Sequence, residues 1–423
     1  MSRNSRTRSG GTVGSIVVVA IIVIFGGYYM LSGNDPLGLM GKSTPTSALE
    51  TQETTVATQA PTEATPTVPA VAATQAPSTP GATWWEVYFS PAMKLTTAQE
   101  LQFNKQIPAA NYGGSLADKL VQHINASKKT IHIASFEFDL TDVANALILA
   151  KQRGVDVRWI TDDESGIQAD TKPGRGQFKM LKAAGIQVID DGRSPLMHDK
   201  FWLFDGQTVW SGSTNVTVSG MFEQNNNTII IQSADLAAIY EREWADMWSG
   251  KFNAKSPSTV DQQALTIAGT PIQILFSPED KAISHIIPYV QAAKSSIQFL
   301  AFTFTQDQLG QAMIDRKKAG VDVRGVFEST GSDTDYSEMV PLYCAKAPVR
   351  QDGNPAFMHH KVIIIDGHIV VTGSLNFTDN ADQQNSENVL IIDNADIAKL
   401  YVQEFQRVWD AGHDPSPSKM KCK

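Results

Sequence analysis

The chain has 423 residues, 42% of them hydrophobic, which excludes a wholly disordered protein and predicts two to three domains of roughly 150 residues each. Its formal net charge is −9, and because positions 1–83 carry four basic and four acidic side chains, positions 84–423 hold the whole excess. Such an acidic globular part argues against avid binding of long nucleic acids, whose affinity comes largely from neutralised phosphates, but does not exclude a local basic groove.

The N-terminal region is predicted to anchor the chain in a membrane. Val13–Leu31 is a segment of 19 residues without charge, and three arginines precede it. This length suffices to cross the hydrocarbon core of a bilayer, and the arginines favour a cytoplasmic N-terminus. A cleavable signal peptide is the alternative, but no Ala-x-Ala-like site follows the segment. We expect residues 1–12 to be a basic cytoplasmic tail, residues 13–31 an uncleaved single-pass anchor in the cell membrane, and the rest extracytoplasmic.

Residues 32–83 are predicted to be a disordered linker. Thr, Pro, Ala and Gln dominate residues 42–83, and "ATQAP" occurs at 57–61 and again at 73–77. A segment with so few large apolar side chains cannot bury enough surface to offset its conformational entropy. We interpret it as a stalk that holds a folded part away from the membrane.

From residue 84 onward the chain repeats itself. A doubled domain with loop insertions explains the matches better than chance, and it predicts a first lobe over 84–255 and a second over 256–415. The spacing between the copies becomes constant in the second part of each, where Met197 matches Met358 and Glu241 aligns with Val402. The matching strings are "VYFSP" at 87–91 with "ILFSP" at 274–278, "GVDVR" at 154–158 and 320–324, and "EREWADMW" at 241–248 with "VQEFQRVW" at 402–409.

Each copy alternates strand and helix patterns. Apolar runs such as "TIHIASF", "VDVRWI", "IQVID" and "NTIII" indicate buried strands, and Thr141–Gln152 and Ala234–Trp248 have helical periodicity. This alternation predicts an α/β sandwich with a mixed sheet in each copy, although it does not fix the strand order.

The similarity between the copies is tightest in two polar segments, "MHDKFWLFDG" at 197–206 and "MHHKVIIIDG" at 358–367. In an extended strand the first His and the Lys two positions later share a face, whereas the Asp seven positions after the His points the other way. The Asp-Gly pair predicts a hairpin turn. We therefore expect Asp205 and Asp366 to be structural and not to touch the ligand of the histidines.

Two His-Lys pairs on equivalent halves suit the cleavage of a phosphodiester. One neutral imidazole can attack phosphorus, the other imidazole, protonated, can donate to the leaving oxygen, and two ammonium groups can hold the nonbridging oxygens. This chemistry needs no metal or other cofactor, and none is expected. A single His-x-Lys is most often an ordinary surface strand, but two copies with the same spacing to Gly-Ser-x-Asn favour a catalytic role.

At these residues the sequence resembles the phospholipase D superfamily, whose signature is H-x-K-x4-D followed by G-S-x-N, present twice in two-lobed members. The strings "HDKFWLFD" with "GSTN" and "HHKVIIID" with "GSLN" match this signature, and the resemblance covers roughly residues 85–412. It implies two tandem α/β sandwich lobes with pseudo-two-fold symmetry, one active site between them within one chain, and a two-step reaction through a phosphohistidine.

The resemblance also implies roles for individual residues. His198 and His359 are the nucleophile and the general acid, and family precedent assigns the nucleophile to His198. The phosphate-binding residues it implies are Lys200, Lys361, Asn215, Asn376, Ser213 and Ser374.

A carboxylate next to one histidine is expected to distinguish the two halves. The family places a Glu after the second G-S-x-N, and Glu387 fits; in the first copy we take Asn227 as the equivalent. A carboxylate orients an imidazole and supports its positive charge, whereas an amide can only orient it. Glu137, which stands where the other copy has Thr303, is a candidate for the missing carboxylate; the alternative is a solvated strand end.

The substrate is less well defined by the sequence. The predicted anchor, the acidic catalytic part and Met221 and Phe222 in the loop after the first motif favour a phospholipid, cleaved by hydrolysis or transphosphatidylation. These two apolar side chains either enter a lipid interface or pack over the first lobe. A membrane-tethered extracytoplasmic nuclease is the main alternative; a cardiolipin-type synthase and a non-catalytic binding protein are less favoured. Cys344 and Cys422 lack metal-ligand spacing but can form a disulfide outside the cytoplasm.

Overall fold

The structure is a computed structural model that describes residues 83–90, 112–252, 257–258 and 263–422. The predicted cytoplasmic tail and membrane anchor and nearly all of the predicted linker lie outside these residues. Within the described ranges, no helix is long and apolar enough to cross a bilayer.

The described part of the first lobe contains a seven-stranded sheet. Its strands are β1 (Trp85–Phe89), β2 (Thr130–Ser135), β3 (Asp156–Thr161), β4 (Gln187–Asp190), β5 (Lys200–Phe204), β6 (Thr208–Gly212) and β7 (Asn227–Gln232). Its α-helices are α1 (Leu116–Ala126), α2 (Thr141–Gln152), α3 (Gln177–Ala183) and α4 (Ala234–Trp248). Short π-helical turns, Asp163–Gln168 and Ser219–Glu223, and a 3₁₀ turn, Ala169–Thr171, complete it.

The described part of the second lobe contains an eight-stranded sheet. Its strands are β8 (Ala264–Ile267), β9 (Thr270–Ser277), β10 (Ser296–Ala301), β11 (Asp322–Phe327), β12 (Val349–Gln351), β13 (Lys361–Ile365), β14 (Ile369–Gly373) and β15 (Glu387–Asp393). Its helices are α5 (Ala282–Ala292), α6 (Asp307–Lys318), α7 (Met339–Cys344), α8 (Asp379–Gln383) and α9 (Ala395–Ala411).

The two sheets share one topology. The strand order is β1-β7-β6-β5-β2-β3-β4 in the first and β12-β11-β10-β13-β14-β15-β9-β8 in the second, so β8 is an added edge strand. Parallel pairing joins β2, β3 and β4, and likewise β10, β11 and β12, while the other neighbours pair antiparallel. The predicted mixed sheets and the duplication are therefore confirmed, and the predicted bounds of α2 and α4 agree with the structure.

The core between the sheets positions the site. One face of each sheet packs against α4 and α9 in a shared apolar cluster that includes Phe201, Tyr240, Phe276 and Tyr401. The outer faces are covered by the other helices of each lobe in two separate clusters. Because the inner cluster draws on both lobes, it fixes one lobe against the other, and the strands beside it are buried on both faces.

A disulfide joins the C-terminal tail to the second lobe. Cys344 at the end of α7 is bonded to Cys422, with a Cα–Cα distance of 5.4 Å. Between them Met420 is 6% exposed and packs in the outer core of this lobe, and His413 forms an antiparallel bridge with Gln351. The second lobe therefore continues past the predicted boundary at residue 415.

Candidate active site

Two hairpins carry the repeated polar segments. β5 and β6 are joined by residues 205–207, and Asp205 and Gly206 have φ angles of 55° and 63°, the left-handed values of a primed turn. Asp366 and Gly367 repeat this turn between β13 and β14 with φ angles of 53° and 71°. Each histidine lies two positions before the Lys that starts the first strand of its hairpin.

The aspartates of both turns bind the backbone at the start of the neighbouring strand, β2 or β10. The Asp205 carboxylate accepts hydrogen bonds from the backbone N–H groups of residues 128–130 at 2.6 to 3.1 Å. Asp366 accepts equivalent bonds from residues 294–296. Neither contacts a histidine of the motif, as the strand alternation predicts.

Each motif histidine is bound to the opposite lobe through its backbone. The His198 N–H donates to the carbonyl of Ser386 at 2.9 Å, and the His359 N–H donates to the carbonyl of Asn225 at 2.8 Å. These bonds belong to short parallel bridges that bring residues 197 and 386 together, and 225 and 358. The duplication thus places both histidines at one boundary between the lobes.

The side-chain partners of the two histidines differ. His198 Nδ1 lies 2.8 and 2.9 Å from the two carboxylate oxygens of Glu387. His359 Nδ1 lies 2.9 Å from the amide oxygen of Asn226 and 3.1 Å from the carbonyl of Ser213. All these partners are acceptors when Glu387 is ionised, so Nδ1 carries the proton on both rings and Nε2 is left as the reactive nitrogen.

The motif lysines contact the backbone of the motif histidines. Lys200 Nζ donates to the carbonyl of His198 at 2.7 Å, and Lys361 Nζ donates to the carbonyl of His359 at 2.9 Å. Both lysines are 1% exposed. Phe136 and Phe302 occupy equivalent places beside them, and each ring packs edge-on against its histidine and faces its lysine.

Burial and mutual repulsion govern the titration of these groups. Burial, followed by Lys200 and Lys361, holds the pKa of His198 well below its usual value, and burial, Lys361 and Lys200 do the same for His359. Burial also lowers the pKa of Lys200 to about 8 and that of Lys361 well below its usual value. The lysine of each lobe thus acts on the histidine of the other, and a bound anion would offset this repulsion.

Glu387 forms a buried pair with His198. Burial raises the pKa of the Glu387 carboxyl to about 8, and Lys200 opposes the rise. Because the carboxyl and the imidazole lie within a hydrogen bond of 2.8 Å, the protonation state of each group affects that of the other.

The serines of the Gly-Ser-x-Asn segments support the partners of the histidines. The Ser213 hydroxyl donates to the Asn226 amide oxygen at 2.8 Å. The Ser374 hydroxyl hydrogen-bonds the Glu387 carboxyl and accepts the N–H of Asn388 at 3.0 Å. Both serines are fully buried. The structure therefore gives both serines a positioning role, and their contact with phosphate stays a prediction.

The two motif asparagines lie in different surroundings. Asn215 donates its Nδ2 to Glu137 at 3.0 Å, and Glu137 also accepts from Arg175 at 3.3 Å. Glu137 therefore does not supply a carboxylate to His359, and that prediction is wrong because Asn215 and Arg175 occupy both of its oxygens. The amide oxygens of Asn215 and Asn376 are buried and have no hydrogen-bond partner among the described residues.

The predicted equivalence of Glu387 and Asn227 is wrong by one position. Strand pairing sets Gly212 opposite Thr228, and Gly373 opposite Val389, so the spacing that relates the two motifs holds here and Asn226 corresponds to Glu387. The strings "QNNNT" and "QNSEN" are thus offset by one position in the repeat. Asn227 instead contacts buried groups of the second lobe, namely His360, Thr372 and Tyr401.

The loop after the first motif does not offer an apolar surface. Met221 and Phe222 are both 0% exposed and pack in the outer core of the first lobe. Of the two alternatives from the sequence, packing over the lobe is correct, so these side chains lend no support to insertion into a lipid interface.

Three carboxylates behind His198 lie close enough together to hold a cation. Oxygens of Asp162, Asp163 and Asp191 fall within 4.8 Å of one another among the described residues. Asp162 already accepts the N–H groups of Ser165 and Met197, at 2.7 and 3.2 Å. Asp162 therefore supports the segment that leads into His198, and this explains its position.

Comparison with known proteins supports the fold. A family model described as "Cardiolipin synthase, PLD-like domain" matches residues 120–248 and 286–409, together more than half of the chain. The solved structure of a phosphatidylserine synthase from Haemophilus influenzae Rd KW20 is 14% identical, with a TM-score of 0.56, over 70% of this chain and 84% of that one. This likeness shows the fold alone.

Two curated relatives match at higher identity over about the length of one lobe. A mitochondrial cardiolipin hydrolase of Xenopus tropicalis is 38% identical over 137 residues, which are 32% of this chain and 65% of the relative. A phospholipase D of Rickettsia bellii (strain RML369-C) is 32% identical over 139 residues, which are 33% of this chain and 69% of the relative. The chain spans between about half and about two thirds of the length of the curated relatives that it matches.

We predict that Asp205→Asn lowers the melting temperature by a few degrees and changes kcat/KM of the folded protein by less than about threefold, because the carboxylate supports a turn and not the site. The backbone donors outweigh burial and lower the pKa of Asp205, so its stabilising effect is present above the unfolded pKa of about 3.9 and is lost as the pH falls further. Calorimetry at pH 7 and pH 3, with the exposed Asp315→Asn as control, should show a difference that shrinks in acid. A large loss of kcat/KM at an unchanged melting temperature would contradict this role.

Proposed function

The chain belongs to the family of PLD-like domains, and on that premise we propose that it is a phosphodiesterase of the phospholipase D type that cleaves phospholipids through a phosphohistidine. The observation that carries the proposal is the unequal pair of imidazoles, one bonded to Glu387 and the other to Asn226. If both histidines had the same partner, nothing would distinguish the nucleophile from the proton donor. Because their partners differ, a separate role can be assigned to each.

We infer that His198 is the nucleophile. When its Nε2 attacks phosphorus, the ring acquires positive charge, and the Glu387 carboxylate beside Nδ1 stabilises that charge. The bond from phosphorus to the leaving oxygen then breaks, and His198 holds the phosphoryl group.

His359 is the proton donor and acceptor. The amide oxygen of Asn226 fixes the orientation of its ring without stabilising the imidazolium, so the protonated ring gives up its Nε2 proton readily to the leaving oxygen. In the second step, the neutral ring takes a proton from water, the water oxygen attacks phosphorus, and the bond to His198 breaks. Both histidines return to their starting states.

Lys200 and Lys361 hold the nonbridging oxygens, and Asn215 and Asn376 assist in binding the phosphate. An entering phosphodiester brings negative charge next to Lys200, Lys361 and His359, and this raises the fraction of protonated His359 in the complex. The positive charge comes from the protein, and one chain contributes both halves of the site.

A phospholipid is the proposed substrate. The relatives named cardiolipin hydrolase and phospholipase D, the net charge of −9 and the predicted anchor support a lipid over a long polyanion. The two histidines are only 5% and 6% exposed, so the phosphodiester must enter a narrow opening. A head group at the end of a lipid meets this condition more readily than a duplex.

The catalytic part is proposed to lie outside the cytoplasm and to be tethered to the membrane. The arginines before Val13–Leu31 support this orientation. The bond between Cys344 and Cys422 supports it independently, because disulfides persist in oxidising compartments.

We predict that His198→Ala and His359→Ala each reduce phosphodiesterase turnover by at least about a thousandfold, since each ring takes part in both steps. EDTA should leave turnover unchanged because the lysines supply the positive charge. Turnover of a chromogenic diester, measured for each variant and with EDTA, checks this, with the partly exposed His368→Ala as control. Activity lost with EDTA, or kept near the wild-type level by either variant, would rule out the two-histidine scheme.

The fragment 84–423 should hydrolyse a glycerophospholipid in vesicles to phosphatidic acid and a free head group. With added ethanol it should form phosphatidylethanol, because an alcohol can replace water in the second step. Mass spectrometry of the lipids measures both products, and Lys361→Ala provides the inactive control. Intact vesicles together with degradation of DNA or RNA in EDTA would replace the lipid proposal with the nuclease alternative.

Protease added to intact spheroplasts should release an active fragment by cutting within residues 42–83, since this linker is predicted to be exposed outside the membrane. In gel electrophoresis the released fragment should migrate differently before and after reduction of its disulfide. A catalytic part that is cut only after lysis, or that contains free thiols, would reverse the proposed topology.

A further inference from the structure

An arginine supports each of the bridges that hold the histidines to the opposite lobe. Arg193 donates to the Ser386 hydroxyl at 3.2 Å, and Arg407 donates to the Asn225 amide oxygen at 3.1 Å. Ser386 and Asn225 are the residues whose carbonyls accept the N–H groups of the histidines. They also directly precede Glu387 and Asn226, so each arginine holds the residue next to a side chain that orients an imidazole.

The two arginines occupy different positions in the repeat. At the spacing that relates the two motifs, Arg193 corresponds to Asn354 and Arg407 to Asp246. Arg193 comes from the loop after β4 in the first lobe and reaches the second lobe, whereas Arg407 comes from α9 in the second lobe and reaches the first. Two unrelated positions thus make the same kind of contact, which common ancestry of the lobes does not explain.

Both guanidinium groups are themselves fixed in place. Arg193 pairs with Asp191 at 3.0 Å and lies over the ring of Phe252 at 5.1 Å. Arg407 makes two bonds of 2.7 Å to Glu404, which is also bonded to His360 at 2.9 Å. A planar donor group held on one side by a carboxylate can orient a neutral acceptor on its other side with little loss of side-chain entropy.

We propose that Arg193 and Arg407 are positioning residues with separate tasks. Arg193 sets Glu387 against His198, and Arg407 sets Asn226 against His359. This inference rests on the proposed function, since it assigns one arginine to the nucleophile and the other to the proton donor. The simpler alternative is that both arginines only join the lobes, in which case their loss affects both histidines alike.

A diester with an activated leaving group separates the two tasks. The first nitrophenolate leaves bis(4-nitrophenyl) phosphate without needing a proton, so the first turnover depends on His198. The following hydrolysis of the phosphohistidine needs His359 to accept a proton from water. Rapid mixing therefore gives a burst rate constant for the first step and a steady rate for the second.

Arg193→Gln should lower the burst rate constant by about tenfold or more, as a displaced partner of a reacting group does. Arg407→Gln should leave the burst rate constant within about twofold and lower the steady rate by about tenfold. Arg324→Gln, which removes an exposed arginine on β11, is the control and should change neither. Melting temperatures establish that each variant is folded.

Substitution of the acceptors provides a second pair of variants in case an arginine variant does not fold. Ser386→Ala should reproduce the Arg193 pattern, and Asn225→Ala the Arg407 pattern, because both keep the carbonyl that binds the histidine. Equal slowing of both phases in both variants, or no slowing, would overturn the inference. A wild-type protein that cleaves no phosphodiester would instead overturn the proposed function, and the inference with it.

Discussion

The site depends on hydrogen bonds that cross from one lobe to the other. His198 belongs to the first lobe, but its backbone acceptor and Glu387 belong to the second, and His359 shows the reverse arrangement with Asn225 and Asn226. Neither lobe alone therefore contains an oriented imidazole. The apolar core shared by α4 and α9 keeps the lobes together, so its packing also holds the two halves of the site in place.

The two lobes give the site a nearly symmetric arrangement, but different residues at equivalent buried positions make its two halves unequal. Asn388 and Asn227 occupy equivalent places behind the strands, yet Asn388 binds Asp199 while Asn227 binds His360. The difference between Glu387 and Asn226 is of the same kind, but these two side chains contact the histidines of the motifs. In the proposed mechanism the unequal pair favours one order of steps, because Glu387 stabilises the imidazolium of His198 and Asn226 gives His359 no such charge.

Much of the fold and of the site was predictable from the sequence, since periodicity fixes the strands and helices and the repeated motif fixes which side chains share a face. The bounds of α2 and α4 and the turns at Asp205 and Asp366 followed from local patterns. Contacts between segments that are distant in the sequence could not be predicted in this way. The equivalence of Asn226 and Glu387 is visible only from the strand pairing, and the partner of Glu137 is Arg175, which lies in a loop. Arg193 and Arg407 have no matching arginine in the other copy, so the repeat does not reveal them.

In the proposed mechanism His198 carries the phosphoryl group. His359→Ala should complete the first step with bis(4-nitrophenyl) phosphate but fail to activate water, so the covalent species should accumulate. Mass spectrometry of peptides after alkaline quenching should find one 4-nitrophenyl phosphoryl group on the peptide that contains His198. An adduct on the His359 peptide of the His198→Ala variant, with none on His198 in the other variant, would contradict the account.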